Sequence, residues 1–146
     1  MKIIIRPFQP ADQDGCKALV LAGLAEHWGE LDPSLNPDLN DIAVSFGAGC
    51  FLTAWSGEAL AGTGGFQPAG PDCVQISRMS VRRDLRGQGL GKRILAELLA
   101  EARRRGTRRA ILETTETWQE VVRFYLSAGF QLTHRQDGDV YFSIDL

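Results

Sequence analysis

A chain of 146 residues, 44% of them apolar, can bury one full core but not two, so a single domain over residues 1–146 is expected. No apolar run is long enough to cross a membrane, and a net charge of −2 argues against nucleic acid as a partner. The cysteines (Cys16, Cys50, Cys73) are far apart, odd in number and without CxxC or Cys/His spacing; this pattern excludes a cysteine metal centre and predicts reduced, mostly buried thiols in a cytoplasmic chain.

In chain order, residues 1–6 are too short for a secretory signal, and residues 2–6 read as an edge strand ended by Pro7. Asp12 or Asp14 is placed to cap a helix running to about Trp28, with Cys16, Leu19, Val20, Leu24 and His27 on its apolar side. Pro33 and Pro37 break the chain, and Asn36 is placed to cap a short helix to about Phe46. Residues 50–55 and 59–66 read as a hairpin through Ser56-Gly57-Glu58, and residues 67–72 form a further turn. In the next strand the apolar positions shift parity, from Val74 and Ile76 to Met79 and Val81. Either a β-bulge lies near Ser77-Arg78 or the strand is buried on both faces.

Then comes Arg86-Gly87-Gln88-Gly89-Leu90-Gly91-Lys92, followed by a stripe of Leu90, Ile94, Leu95, Leu98, Leu99 and Ala102 that marks a helix to about Arg105, closed by Gly106. Strand, glycine loop and helix together make an anion site, because glycines let backbone approach a phosphate and the helix N-terminus offers unpaired N–H groups. The Rossmann pattern fails at Lys92, and the Walker A pattern fails at Arg86 and Arg93. Residues 109–113 read as a strand parallel to the bulged one, because a helix connects them. Residues 117–126 read as a helix with Trp118, Val121, Val122 and Tyr125 in one stripe, ending near Gly129. Residues 130–135 and 140–144 close the chain as a hairpin through Asp137-Gly138. The whole is a mixed α/β domain with helices on both faces of a partly parallel sheet.

Charge is divided along the chain. Residues 18–77 hold seven acids and no Lys or Arg, whereas residues 82–109 hold ten basic side chains against three acids. Around the glycine loop Arg82, Arg83, Arg86, Lys92 and Arg93 can wall a phosphate site, while Arg103-Arg104-Arg105 reads as a solvated face. The basic stretch lacks interleaved aromatics, which argues against nucleic acid, and the acidic half suits a cationic amine.

Arg86, Gly89 and Gly91 match [QR]-x-x-G-x-[GA], the pyrophosphate-binding signature of the GNAT superfamily of acyl-CoA-dependent N-acyltransferases. Residues 78–92 resemble that family's fourth strand and loop, and Phe124-Tyr125…Gly129-Phe130 resembles its F-Y-x-x-x-G-F segment. The resemblance covers residues 50–135. It implies a GNAT-like fold of six or seven strands with a β-bulge before the glycine loop. It implies acetyl-CoA as co-substrate, held by Arg86, Gly87, Gln88, Gly89, Leu90, Gly91 and Lys92 at the pyrophosphate and by Met79, Ser80 and Val81 along the pantetheine. Trp118 stands where many members place an asparagine beside that arm. A primary amine, small-molecule or peptide, attacks the thioester directly. The Met79 backbone N–H is the candidate donor to the acyl oxygen, and Tyr125 the candidate acid for the leaving thiolate. Gln75 stands where many members carry a glutamate base and cannot accept a proton. Glu113, Glu26, His27 or a water relay are the alternatives, and a non-catalytic CoA-binding module is the second reading. The resemblance allows a homodimer.

Overall fold

A computed structural model describes residues 2–32 and 34–146; the break expected at Pro33 falls outside them. Seven strands form one sheet: β1 (Ile3–Pro7), β2 (Cys50–Ser56), β3 (Ala59–Pro68), β4 (Cys73–Val81), β5 (Arg109–Thr115), β6 (Gln131–Gln136) and β7 (Asp139–Asp145). Their order is β1-β2-β3-β4-β5-β7-β6, so β1 lies at one edge, as expected. Every neighbour is antiparallel except β4 and β5, which the connecting helix forces to run parallel.

Four helices cover the two faces: α1 (Gln13–Trp28), α2 (Ile42–Ser45), α3 (Leu90–Arg104) and α4 (Gln119–Ser127). The predicted α3 stripe is wholly buried, with Ile94 and Leu98 at 0% exposure. Each fully buried Leu or Ile there contributes roughly 2 kcal/mol. This stripe packs with Leu52, Ile76, Leu112, Tyr125 and Phe142 into the main core. A second core on the other face joins Cys16 and Val20 of α1 to Leu39, Ile42, Phe46 and Phe51. Phe51 and Leu52 are successive residues of β2 that serve opposite cores, the alternation a pleated strand requires.

The structure departs from expectation in three places. Asp12 stands at the start of α1 but makes no side-chain cap bond to it. Its carboxylate instead accepts from Gln9 N at 2.9 Å and from Arg6 Nη1 at 2.9 Å, because the preceding 3-10 turn (Pro10–Asp12) presents its own unpaired N–H groups and a nearby cation. The single helix expected from Asn36 to Phe46 is two pieces, a 3-10 turn (Pro37–Asn40) and then α2, which Asp41 caps through Val44 N. Of the thiols, only Cys16 is buried; Cys50 and Cys73 are half-buried at the first positions of β2 and β4.

Candidate active site

β4 and β5 pair only over Cys73–Gln75 against Arg109–Ile111, and beyond that they part. The cause lies in β4. Its register with β3 steps from Gly65↔Ser77 to Thr63↔Ser80, so three steps on β4 oppose two on β3. The extra residue is a β-bulge at Arg78, whose backbone sits in the left-handed region with φ +58°. The bulge flips parity, which seats Val74 and Ile76 and later Met79 and Val81 toward the same core. Of the two readings the parity shift allowed, the bulge is the one observed.

At the C-terminal end of the opening lies the glycine loop. Gly87 (φ +78°) and Gly89 (φ +84°) both adopt left-handed backbone, and a Cβ on either would stand in open space. Gly89 starts α3 without a side-chain cap, so the first-turn N–H groups have no partner from a capping side chain. Gly91 differs: a Cβ there would lie 3.4 Å from the Phe124 ring, in van der Waals contact with α4 rather than in open space. The Leu90 side chain is buried in the core, whereas Gln88 and Lys92 are exposed.

Two arginines of the expected basic wall already have carboxylate partners. Arg82 forms a fork with Asp84, at 2.7 Å from Nε and 3.2 Å from Nη2. Arg86 donates from Nε to Val81 O at 3.0 Å and from Nη1 to Glu26 of α1 at 2.5 Å. The hydrogen bond from Arg86 holds the Glu26 carboxyl below the usual carboxylate range. The next residue, His27, stacks on Trp118 with ring centroids 4.6 Å apart and lies 3.2 Å from Thr117 Oγ1. The last turn of α1 therefore touches both lips of the opening, residues 81–86 on one side and 117–118 on the other.

A family model, the acetyltransferase (GNAT) family, matches residues 13–130. The chain belongs to the GNAT acetyltransferase family. N-acetyltransferase 8B of Rattus norvegicus is 35% identical over 108 residues, covering 68% of this chain and 48% of that protein. The chain spans about half the length of the curated relatives it matches. A GNAT-family acetyltransferase structure from Staphylococcus aureus superposes with a TM-score of 0.92 at 18% identity over 99% of both chains. PaiA N-acetyltransferase of Thermoplasma acidophilum, solved with coenzyme A, gives 0.87 at 17% identity over 100% of both. Both likenesses are of the fold.

Within this GNAT domain the three residues expected to be catalytic lie on separate elements. Met79 follows the bulge. Tyr125 is buried on α4, its ring 5.1 Å from Phe124, 5.6 Å from Phe130 and 6.1 Å from Phe142. Glu113 is exposed on β5 and, next to buried Leu112, points to the opposite face. There it stands across from Tyr141 of β7, and its carboxylate, as acceptor for the Tyr141 hydroxyl, raises that hydroxyl's pKa. Tyr125 and Glu113 thus flank β5 from two sides. Ser80 lies on the α1 face, with its Oγ 3.2 Å from where a Gly23 Cβ would be.

Sequence reasoning missed the contacts that organise this GNAT site. Arg78 reaches Asp38 across 40 positions, Arg86 reaches Glu26 across 60, and His27 reaches Thr117 across 90. No local spacing signals such pairs. The division of charge, with acids concentrated before residue 77 and bases after it, was the one available hint. Among the described residues no helix is long and apolar enough to cross a membrane, and no cluster of His, Cys, Asp and Glu has a metal-binding arrangement.

Proposed function

We propose that this GNAT domain is an acyl-CoA-dependent N-acetyltransferase acting on a primary amine by direct attack in a ternary complex. The observation that carries the reading is the cradle at the start of α3. Two left-handed glycines, with open space where side chains would stand, precede an uncapped helix N-terminus at the end of a splayed strand pair. These residues fit a diphosphate. The backbone of Arg86, Gly87, Gln88, Gly89, Leu90, Gly91 and Lys92 would hold it. Met79, Ser80, Val81 and Trp118 would line the arm that follows. The coenzyme A bound by the Thermoplasma relative supports the choice of ligand.

Bound acetyl-CoA supplies an acyl group activated as a thioester. The chain's own groups then manage charge and protons. The Met79 N–H lies at the bulge, aimed where the acyl oxygen gains negative charge. Tyr125 donates a proton to the departing thiolate, and burial raises its pKa, keeping the hydroxyl protonated. An aliphatic ammonium has a pKa of about 10, so the acceptor must lose a proton before attack. Gln75 offers no base, and the hydrogen bond from Arg86 lowers the Glu26 pKa and occupies its Oε2, which makes it a poorer proton acceptor. Glu113, exposed on the α1-bearing face and free of any arginine or lysine partner among the described residues, takes that proton, directly or through water.

The test is calorimetry with CoA followed by steady-state CoA release over a panel of primary amines (polyamines, amino acids, lysine peptides), with Glu113→Gln alongside. Binding heat and amine-dependent release are expected, with turnover lowered and the acidic limb of the rate profile, which reports the base, displaced in Glu113→Gln. CoA binding without release for any amine would favour the non-catalytic module that Gln75 suggests. The absence of any binding heat would sink both readings.

A further inference from the structure

Arg78 is the only residue of β4 at positive φ, and nothing in its own chemistry favours that backbone, since left-handed conformation suits glycine and costs other L-residues. A backbone of this kind persists only where its surroundings over-determine it. Here they do so from two directions. The guanidinium forms a fork on Asp38, Nε to Oδ2 at 2.8 Å and Nη2 to Oδ1 at 2.6 Å, and Nη2 also reaches Asn36 Oδ1 at 3.1 Å. The Arg78 carbonyl accepts from the buried Thr63 hydroxyl at 2.9 Å. Both partners of the ion pair are largely shielded, with side chains 18% and 27% exposed. A planar fork on a carboxylate fixes orientation as well as distance, which a single-point contact does not.

We propose that Asp38 and Arg78 are positioning residues: their ion pair holds the left-handed bulge at residue 78 and thereby aims the adjoining Met79 N–H. The inference rests on the reading of Met79 as the donor to the acyl oxygen. Neither Arg78 nor Met79 has a register partner on β3, and β5 has already parted from β4, so the clamp acts where the regular pairing of the sheet is interrupted. The clamp comes from the segment between α1 and α2. The same contact therefore ties that segment to the point of transfer.

Glycine separates this role from simple stapling. At position 78 glycine adopts φ +58° without cost, so Arg78→Gly keeps the bulge while losing the ion pair, whereas Arg78→Ala loses both. Asp38→Ala and Arg78→Ala are each expected to lower turnover of the best amine from the panel by about tenfold or more, because a misaimed donor loses much of its effect. Arg78→Gly and the double variant Asp38→Ala/Arg78→Gly are expected to retain more turnover than Arg78→Ala. CoA affinity by calorimetry should stay within about threefold in all four, since the phosphate cradle is untouched. A readout independent of any amine is the Met79 amide in ¹H–¹⁵N spectra. Its shift and hydrogen exchange should change in Asp38→Ala and return toward wild type in the double variant. An unchanged Met79 amide in Asp38→Ala, or equal losses in Arg78→Gly and Arg78→Ala, overturns the proposal. Wild-type protein that turns over no amine would instead count against the acetyltransferase reading, while the amide readout still decides the clamp.

Discussion

Tyr125 has a structural duty that is independent of any chemistry. It is the third residue from the end of α4, and the chain leaves that helix through Gly129 at φ +98°. Phe130 N bonds back to Tyr125 O at 3.1 Å and Gly129 N to Leu126 O at 3.2 Å, the paired bonds of a glycine-closed helix end. The Phe130 ring then packs on the Tyr125 ring. The Phe-Tyr…Gly-Phe pattern was legible in the sequence because this cap imposes its spacing, so the pattern alone does not establish catalysis. The hydroxyl is the part that packing does not require: burial alone raises its pKa, with no hydrogen-bond partner contributing. Tyr125→Phe should therefore leave the unfolding midpoint in urea nearly unchanged and lower turnover by about a hundredfold. Full turnover in that variant would remove Tyr125 from the mechanism and leave only the packing role.

The start of α3 shows how one glycine motif holds two physical tasks. Gly89 opens onto free space at positive φ, whereas Gly91 abuts Phe124 and has no left-handed backbone. Sequence reading grouped them as one phosphate signature, because spacing reports that glycine is present and not what it faces. Gly89→Val should weaken CoA binding by about tenfold or more, as read by calorimetry, since a β-branched side chain strains the left-handed start of α3 and intrudes on the cradle. Gly91→Val should act first on the fold, costing about 1–3 kcal/mol in urea unfolding, because it overpacks the contact between α3 and α4. Equal effects of the two on binding and stability would mean that the division of labour is wrong. α3 and α4 were legible because their apolar periods are strong. The segment between α1 and α2 was not, because a 3-10 turn at which Asn36 makes no cap bond, followed by one short helical turn capped by Asp41, carries no period.

Across the molecule, two cores clamp the sheet, and the smaller one fixes α1, the helix whose last turn spans both lips of the opening. Cys16 sits at its centre with no exposure, and burial pushes the thiol pKa up to about 12. The unfolded chain ionises nearer 9.0, the ordinary value, so the folded state holds this proton more tightly. The stability this provides is complete below pH 9 and is lost as pH rises toward 12, at up to about 1.4 kcal/mol per pH unit. Urea unfolding across that window should show the slope in the wild type and a shallower one in Cys16→Ala; identical slopes would refute the assignment. The sequence by itself determined the layered α/β architecture, the α3 stripe, the glycine loop and the parity shift in β4. Each is written in the spacing of near neighbours, which apolar burial and backbone sterics read directly. Only the tertiary structure decided that the parity shift is a bulge, that Arg86 is matched to Glu26 and Arg78 to Asp38, and that α1 bridges the two lips. Those outcomes depend on charges and rings brought together from distant positions, where the packing of whole elements, and no local preference, selects the partner.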